Sequence, residues 1–234
     1  MKNRISGLVI TVIMMAGSTC AQTADQRAPD PKKVTIGVSI GLNYANLDAK
    51  HSAFPTFGPN DVAKLGSIAG GVIEYRFHDN LSAQSGILYV SAGAKTDEFI
   101  GTDDFGNELG KFRFVQDLRF LEFPLLLSYK IPVSRFKLSL SAGPNIGILL
   151  SAKQEFQADY ETTFQSKIDI KDKLKPVNLM IGLGAGAIFP LGSAIDLRVE
   201  VKYGRGLVNQ IEEENAGYQE SRDIRLISNI SHAL

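Results

Sequence analysis

Side chains able to do chemistry are few in this chain, and their spacing argues against most reactions. Histidine occurs at His51, His78 and His232, and a charge relay would need one of them beside a Ser and an acid. His51 lies in a long polar segment, His78 beside a tight turn and His232 near the chain end, none at pleat spacing from such partners. They read as scattered surface histidines. Glu122, two residues before Pro124, is a candidate buried acid, and an ion pair explains it equally well. Asp103-Asp104 and Glu212-Glu213-Glu214 suggest Ca²⁺ or partner contact, but carboxylates in exposed loops are usually just solvated. The one cysteine, Cys20, excludes an internal disulfide framework and a multi-Cys zinc site. No phosphate loop, metal cluster or nucleic-acid patch is visible, so the expectation is no enzyme, no catalytic or metal site and no cofactor. With 25 basic and 25 acidic residues and 44% apolar content, the chain is neither a disordered tail nor a basic nucleic-acid binder.

A second group of charged residues is more regular. In Ile195-Asp-Leu-Arg-Val-Glu-Val-Lys-Tyr203 every odd position is apolar and every even one charged, a pattern that a helix cannot sort onto two faces and a strand can. The same alternation sets Val34, Ile36, Val38, Ile40, Leu42 and Tyr44 against Thr35, Gly37, Ser39, Gly41 and Asn43. It recurs in 136–150 and 177–189, with Met180 and Ile188 as exceptions, and less cleanly in 68–78, 81–95, 115–130 and 222–234. These make eight strands.

Ahead of them, Lys2 and Arg4 precede an apolar run from Leu8 to Ala16 and the small residues Gly17-Ser-Thr-Cys-Ala21, the order of an export signal. Residues 1–21 are therefore expected to be a cleaved signal peptide, 22–33 a periplasmic linker and 34–234 the barrel domain. A lipidated Cys20 is the alternative, although Gly17-Ser18-Thr19 lacks the usual aliphatic residue. Cleavage removes two basic and no acidic residues, leaving 23 against 25 and a net charge of −2.

The connections alternate in length: Asp79-Asn80, Ile131–Ser134 and Pro190–Ser193 are short, whereas 45–67, 96–113, 152–176 and 209–221 are long and polar. That asymmetry, with an even strand count, indicates an eight-stranded antiparallel up-and-down transmembrane β-barrel of the Gram-negative outer membrane, with short periplasmic turns and long extracellular loops. Eight strands leave an interior just wide enough for side chains. The apolar residues are too many and too large to fill it, so they are expected to face lipid. Glu74, Arg76, Glu122, Lys130, Asp196, Arg198, Glu200, Lys202 and Arg225 are then turned inward, where opposite charges are expected to satisfy one another; Glu74, Arg76, Glu122, Asp196, Arg198, Glu200, Lys202 and Arg225 are singled out as the lumenal charge network that plugs the pore. Interior glycines such as Gly143, Gly182, Gly184, Gly186 and Gly204 would make room for the long side chains. Tyr75, Phe77, Tyr129, Phe136 and Phe189 are expected near the short-turn end of the lipid face, and Tyr44, Tyr89 and Tyr203 nearer the loops.

The strings Leu118-Arg-Phe-Leu-Glu-Phe-Pro-Leu-Leu-Leu-Ser-Tyr129 and Leu140-Ser-Ala-Gly-Pro-Asn-Ile-Gly-Ile-Leu-Leu-Ser-Ala-Lys153 resemble the central signature of the PorT-like outer-membrane β-barrel family. Gly86–Lys95 resembles its third strand and Val201–Val208 its seventh, so the resemblance covers about 34–208. It implies an eight-stranded outer-membrane barrel, and a founding member is linked to protein export by the type IX secretion route. The last strand departs from the pattern: it ends in Leu234 where such barrels commonly end in Phe or Tyr, which weakens the expected signal to the barrel-assembly machinery. Three classes follow in falling order: an interaction component contacting other envelope or secretion proteins, a structural or weakly conducting barrel, and a lipid A-modifying enzyme. The expected partners are outer-membrane lipids, the assembly machinery and those envelope or secretion proteins, with no nucleic acid.

Overall fold

The computed structural model describes residues 33–50, 61–96, 99–102, 108–160, 162–211 and 218–234. The expected signal peptide, most of the linker, His51, Asp103-Asp104 and Glu212–Glu214 lie outside the described residues. Among the described residues ten strands run in chain order: β1 (Val34–Lys50), β2 (Asp61–His78), β3 (Leu81–Thr96), β4 (Phe99–Thr102), β5 (Glu108–Val133), β6 (Phe136–Tyr160), β7 (Thr162–Asp169), β8 (Val177–Pro190), β9 (Ile195–Gly206) and β10 (Tyr218–Ala233). All pairings are antiparallel, and eight strands close on themselves in the order β5-β3-β2-β1-β10-β9-β8-β6, with β6 returning to β5. Closure leaves these strands without an edge, the condition a sheet must meet in hydrocarbon, where an unpaired N–H or C=O has no water to bond.

Following direct partners around the ring measures its tilt. Arg76 pairs with Ser82, Ser82 with Ser128, Ser128 with Ser141, Ser141 with Gly184, Gly184 with Lys202, Lys202 with Arg225, Arg225 with Asn43 and Asn43 with Gly66. The circuit returns to β2 ten residues from Arg76, its starting point. With strands ~4.8 Å apart and ~3.3 Å per residue, that shear tilts the strands by about 40° and sets opposite walls roughly 16 Å apart.

The two faces are inverted relative to a water-soluble protein. Val38, Ile40, Leu42, Leu127, Leu140, Leu183, Val201 and Ile230 are exposed on the outside, while Ser39, Asn43, Glu74, Gln84, Glu122, Lys130, Glu200 and Arg225 are buried within. An apolar exterior this continuous belongs against acyl chains. Tyr75, Phe77, Tyr129 and Phe189 ring that exterior towards the short turns, with Phe136 half-buried against Phe189, and Tyr44 and Tyr203 lie towards the other end.

Three features differ from the sequence expectation. Strand β5 continues through Ile131, Pro132 and Val133, and the turn is Ser134-Arg135; β3 starts at Leu81, opposite Tyr129, so Pro132 lies beyond the neighbour its missing N–H would have served. Much of the expected loops is strand, because β1, β5 and β6 run past the apolar band and β4 and β7 add to them. With 26 and 25 residues, β5 and β6 span about 60 Å along the axis, against an apolar band ~25 Å tall. The expected long loop 152–176 also carries apolar material inward: Ile170 and Leu174 pack with Ala94, Leu118, Phe120, Leu149 and Ala152. That cluster forms at the mouth because Leu150 bulges out of register opposite Arg119 and Phe120, which turns Ala152 inward.

Gly143 is one of the tightest points of the wall. Its φ is +156°, and a Cβ there would lie 2.1 Å from the Leu125 carbonyl oxygen, so the backbones of β5 and β6 meet where Pro124 interrupts the β5 ladder. Gly143→Ala is expected to destabilise the barrel by about 1–3 kcal/mol. A lowered urea midpoint in folded-band gel mobility would show it; an unchanged midpoint would remove the close approach from the account.

Candidate functional site

The polar interior is built by strand parity. In β9 the even residues Asp196, Arg198, Glu200 and Lys202 face in; in β5, Glu122 and Lys130; in β2, Glu74 and Arg76; in β10, Asp223 and Arg225. Four of these carboxylates, Glu74, Glu122, Glu200 and Asp223, form ion pairs in this space with four of the cations, Lys130, Arg198, Lys202 and Arg225. An unbalanced charge there would carry a large desolvation cost.

They sort into two groups along the axis. Nearer the short turns, Glu74 accepts from Lys130 Nζ and Arg198 Nη2, and Arg198 Nη1 donates to Gln84 Oε1 at 2.8 Å. Ser139 Oγ donates to Glu200 at 3.2 Å, and Lys202 Nζ stands 3.3 Å from the same carboxylate. Further up, Arg225 forms a fork on Glu122, with Nη1 at 2.5 Å and Nη2 at 2.9 Å, while its Nε donates to Asp223 at 2.9 Å. Asn145 donates to the same Glu122 carboxylate.

Position in the ring decides what these pairs do. Strands β5 and β10 are four steps apart in a ring of eight, and so are β3 and β9. Glu122–Arg225 and Gln84–Arg198 therefore tie opposite walls together across the axis. Bidentate Arg–carboxylate geometry holds such a bar rigidly. Glycine supplies the room: a Cβ at Gly184 would lie 2.4 Å from Ser141 Oγ and 2.9 Å from Lys202 Cγ, and one at Gly204 would lie 2.3 Å from Asp223 Oδ1.

Of the inward residues named from the sequence, Glu74, Glu122, Lys130, Arg198, Glu200, Lys202 and Arg225 enter these groups. Arg76 and Asp196 are half-buried and form no ion pair among the described residues. Sequence reasoning does not single out Asp223, Gln84 or Asn145. Asp223 was readable as the residue one pleat from Arg225, whereas Gln84 and Asn145 carry no charge to mark them. His78 and His232 are exposed near the short turns, and no group of three metal-ligating side chains occurs among the described residues.

Residues 20–212 match the model of the outer membrane protein beta-barrel domain family. The chain belongs to that family. Its members reside in the Gram-negative outer membrane, which is where the inverted faces place this chain. No curated protein matches it. Among solved structures it is similar to Neisserial surface protein A (TM-score 0.40, 12% identity, 85% of this chain and 97% of that one). It is also similar to OprG of Pseudomonas aeruginosa (TM-score 0.42, 10% identity, 90% and 100%) and to the outer membrane protease OmpT of Escherichia coli (TM-score 0.42, 9% identity, 91% and 100%).

Removing one member of the central bar strands the others. Arg225→Met leaves Glu122 and Asp223 buried without their cation and is expected to cost about 3–5 kcal/mol, much of it recovered in the Glu122→Leu/Asp223→Leu/Arg225→Met triple variant. Lys167→Ala breaks an exposed 3.6 Å pair with Glu155 and is expected to cost under ~1 kcal/mol. Equal losses for Arg225→Met and Lys167→Ala in equilibrium unfolding from vesicles would contradict the assignment.

Proposed function

We propose that this family member is a non-enzymatic integral outer-membrane barrel with a plugged lumen that serves as an envelope or secretion-associated interaction component, as its resemblance to the PorT-like group implies. The observation that carries this reading is the bar across the barrel: Arg225 forks on Glu122 from the opposite wall, and the apolar cluster of Leu118, Phe120, Leu149, Ile170 and Leu174 lies above it. A wall-to-wall ion pair under an apolar cap does not suit diffusion of solutes.

The part of the fold that projects suits contact instead. Beyond the ring the sheet continues as β4-β5-β6-β7, with β4 and β7 at its two ends, each paired on one side. A strand end of this kind presents backbone donors and acceptors to a partner strand. Phe112, Phe114 and Phe156 add a half-buried aromatic cluster, with ring centroids 5.7 and 4.9 Å apart. Outer-membrane lipids surround the band below, and the assembly machinery is the partner met during insertion.

Two measurements test the reading. Refolded protein in planar bilayers is expected to give no stable conductance steps; regular open steps would refute the plug. In cells, a photo-crosslinker at Ile168, exposed on β7, is expected to capture a protein, and one at lipid-facing Leu140 only lipid. Absence of any protein adduct from Ile168 would remove the interaction role.

A further inference from the structure

The circuit of direct partners that measures the shear also carries five of the eleven buried side-chain polar atoms that lack a hydrogen-bond partner among the described residues. Arg76 Nε, Ser82 Oγ, Ser128 Oγ, Ser141 Oγ and Asn43 Oδ1 are buried atoms without a hydrogen-bond partner among the described residues. All five belong to this one circuit. Ser82, Ser128 and Asn43 are 0% exposed and Ser141 5%, so bulk solvent does not reach them. Buried hydroxyls and amides are rarely left unpaired, and water is the usual partner when no protein group is near.

The spacing fits water. Directly paired residues on neighbouring strands stand ~4.5–5.5 Å apart at Cβ; the Ser82, Ser128 and Ser141 hydroxyls do not bond one another, and the spacing also admits one water between two of them, with two bonds of ~2.8 Å. Where the circuit meets Gly184, Ser141 and Lys202 converge over the glycine. A cavity of about 40 Å³, walled mostly by apolar side chains such as Leu88, Leu126, Met180 and Ile227, touches the circuit at Lys202 and Arg225 and exceeds the ~10–15 Å³ one water needs.

Two neighbouring interior rows lack this continuity. The row through Lys130, Ser139, Gly186 and Glu200 turns apolar at Ile227, Ile68 and Val90. A second row meets three successive strands as Gly143, Gly182 and Gly204. The polar circuit instead passes through all eight strands with a polar side chain on seven of them, β8 contributing Gly184. With the tilt of about 40° its climb is about 25 Å, the height of the apolar band.

We propose that Arg76, Ser82, Ser128, Ser141, Lys202, Arg225 and Asn43 hold a single file of exchangeable water across the membrane, so that the barrel passes water while its ion pairs stop ions and solutes. The function is separate from the interaction role. The test is osmotic shrinkage of phosphatidylcholine vesicles containing refolded protein, followed by stopped-flow light scattering. The wild type is expected to shrink faster than empty vesicles. The Ser82→Ala/Ser128→Ala/Ser141→Ala variant is expected to lose that increment while keeping folded-band mobility. Ser39→Ala, which removes a hydroxyl that accepts from Asn229 at 2.8 Å off the circuit, is expected to retain it. If the triple variant does not refold, Ser128→Val is used in its place with the same expectation. Wild-type vesicles shrinking like empty ones, or serine variants shrinking like wild type, would overturn the water file. Ion conductance steps would instead count against the plugged lumen, so the two ideas fail separately.

Discussion

Hydrocarbon offers a peptide group no hydrogen-bond partner, and that constraint organises the whole structure. A sheet in such a medium must close, and closure at eight strands leaves a lumen that only side chains can fill. Once the exterior is given to Val38, Ile40, Leu140 and Val201, every polar residue of the alternation is forced inward into a space of low dielectric. Charges placed there have to neutralise one another. The four carboxylates and four cations of the lumen follow from closure, and so does the glycine allotment that lets their long side chains cross the axis.

The arrangement also separates labour along the axis. Near the short turns Glu74 collects Lys130 and Arg198, and higher up Glu122 and Asp223 hold Arg225. Above these lies an apolar cap, Leu118 and Phe120 beneath Ile170 and Leu174. Beyond the ring, β5 and β6 are freed from the demands of the bilayer and gather β4 and β7 into a projecting sheet. Sealing below and presentation above are consequences of the same two long strands.

Much of the ring was legible because lipid enforces a strict rule. The stretch Ile195–Tyr203 alternates without exception, and its inward and outward faces follow from parity alone. The rule lapses outside the bilayer: Lys111–Gln116 and Gln154–Gln157 are in strands but have no lipid face to keep apolar, so their sequence reads as loop. Partnerships were less legible than faces. That Glu122 meets Arg225, 103 residues away, depends on the shear of the ring, a quantity no single strand encodes. The inward turn of Ala152 likewise depends on the bulge at Leu150, which carries no glycine or proline to announce it. Arg76 and Asp196 follow the parity of the network without joining an ion pair, since each lies near an end of its strand.

The central claim is which face of the sheet meets acyl chains. Spin labels at single cysteines test it most directly, through their accessibility to oxygen, which concentrates in lipid, and to a water-soluble nickel chelate. Labels at Val38, Leu140 and Val201 are expected to be relaxed strongly by oxygen and weakly by nickel, while labels at Ser39, Ser139 and Glu200 are expected to be shielded from both. Strong oxygen relaxation at Ser39, Ser139 and Glu200, with Val38, Leu140 and Val201 shielded, would contradict the account.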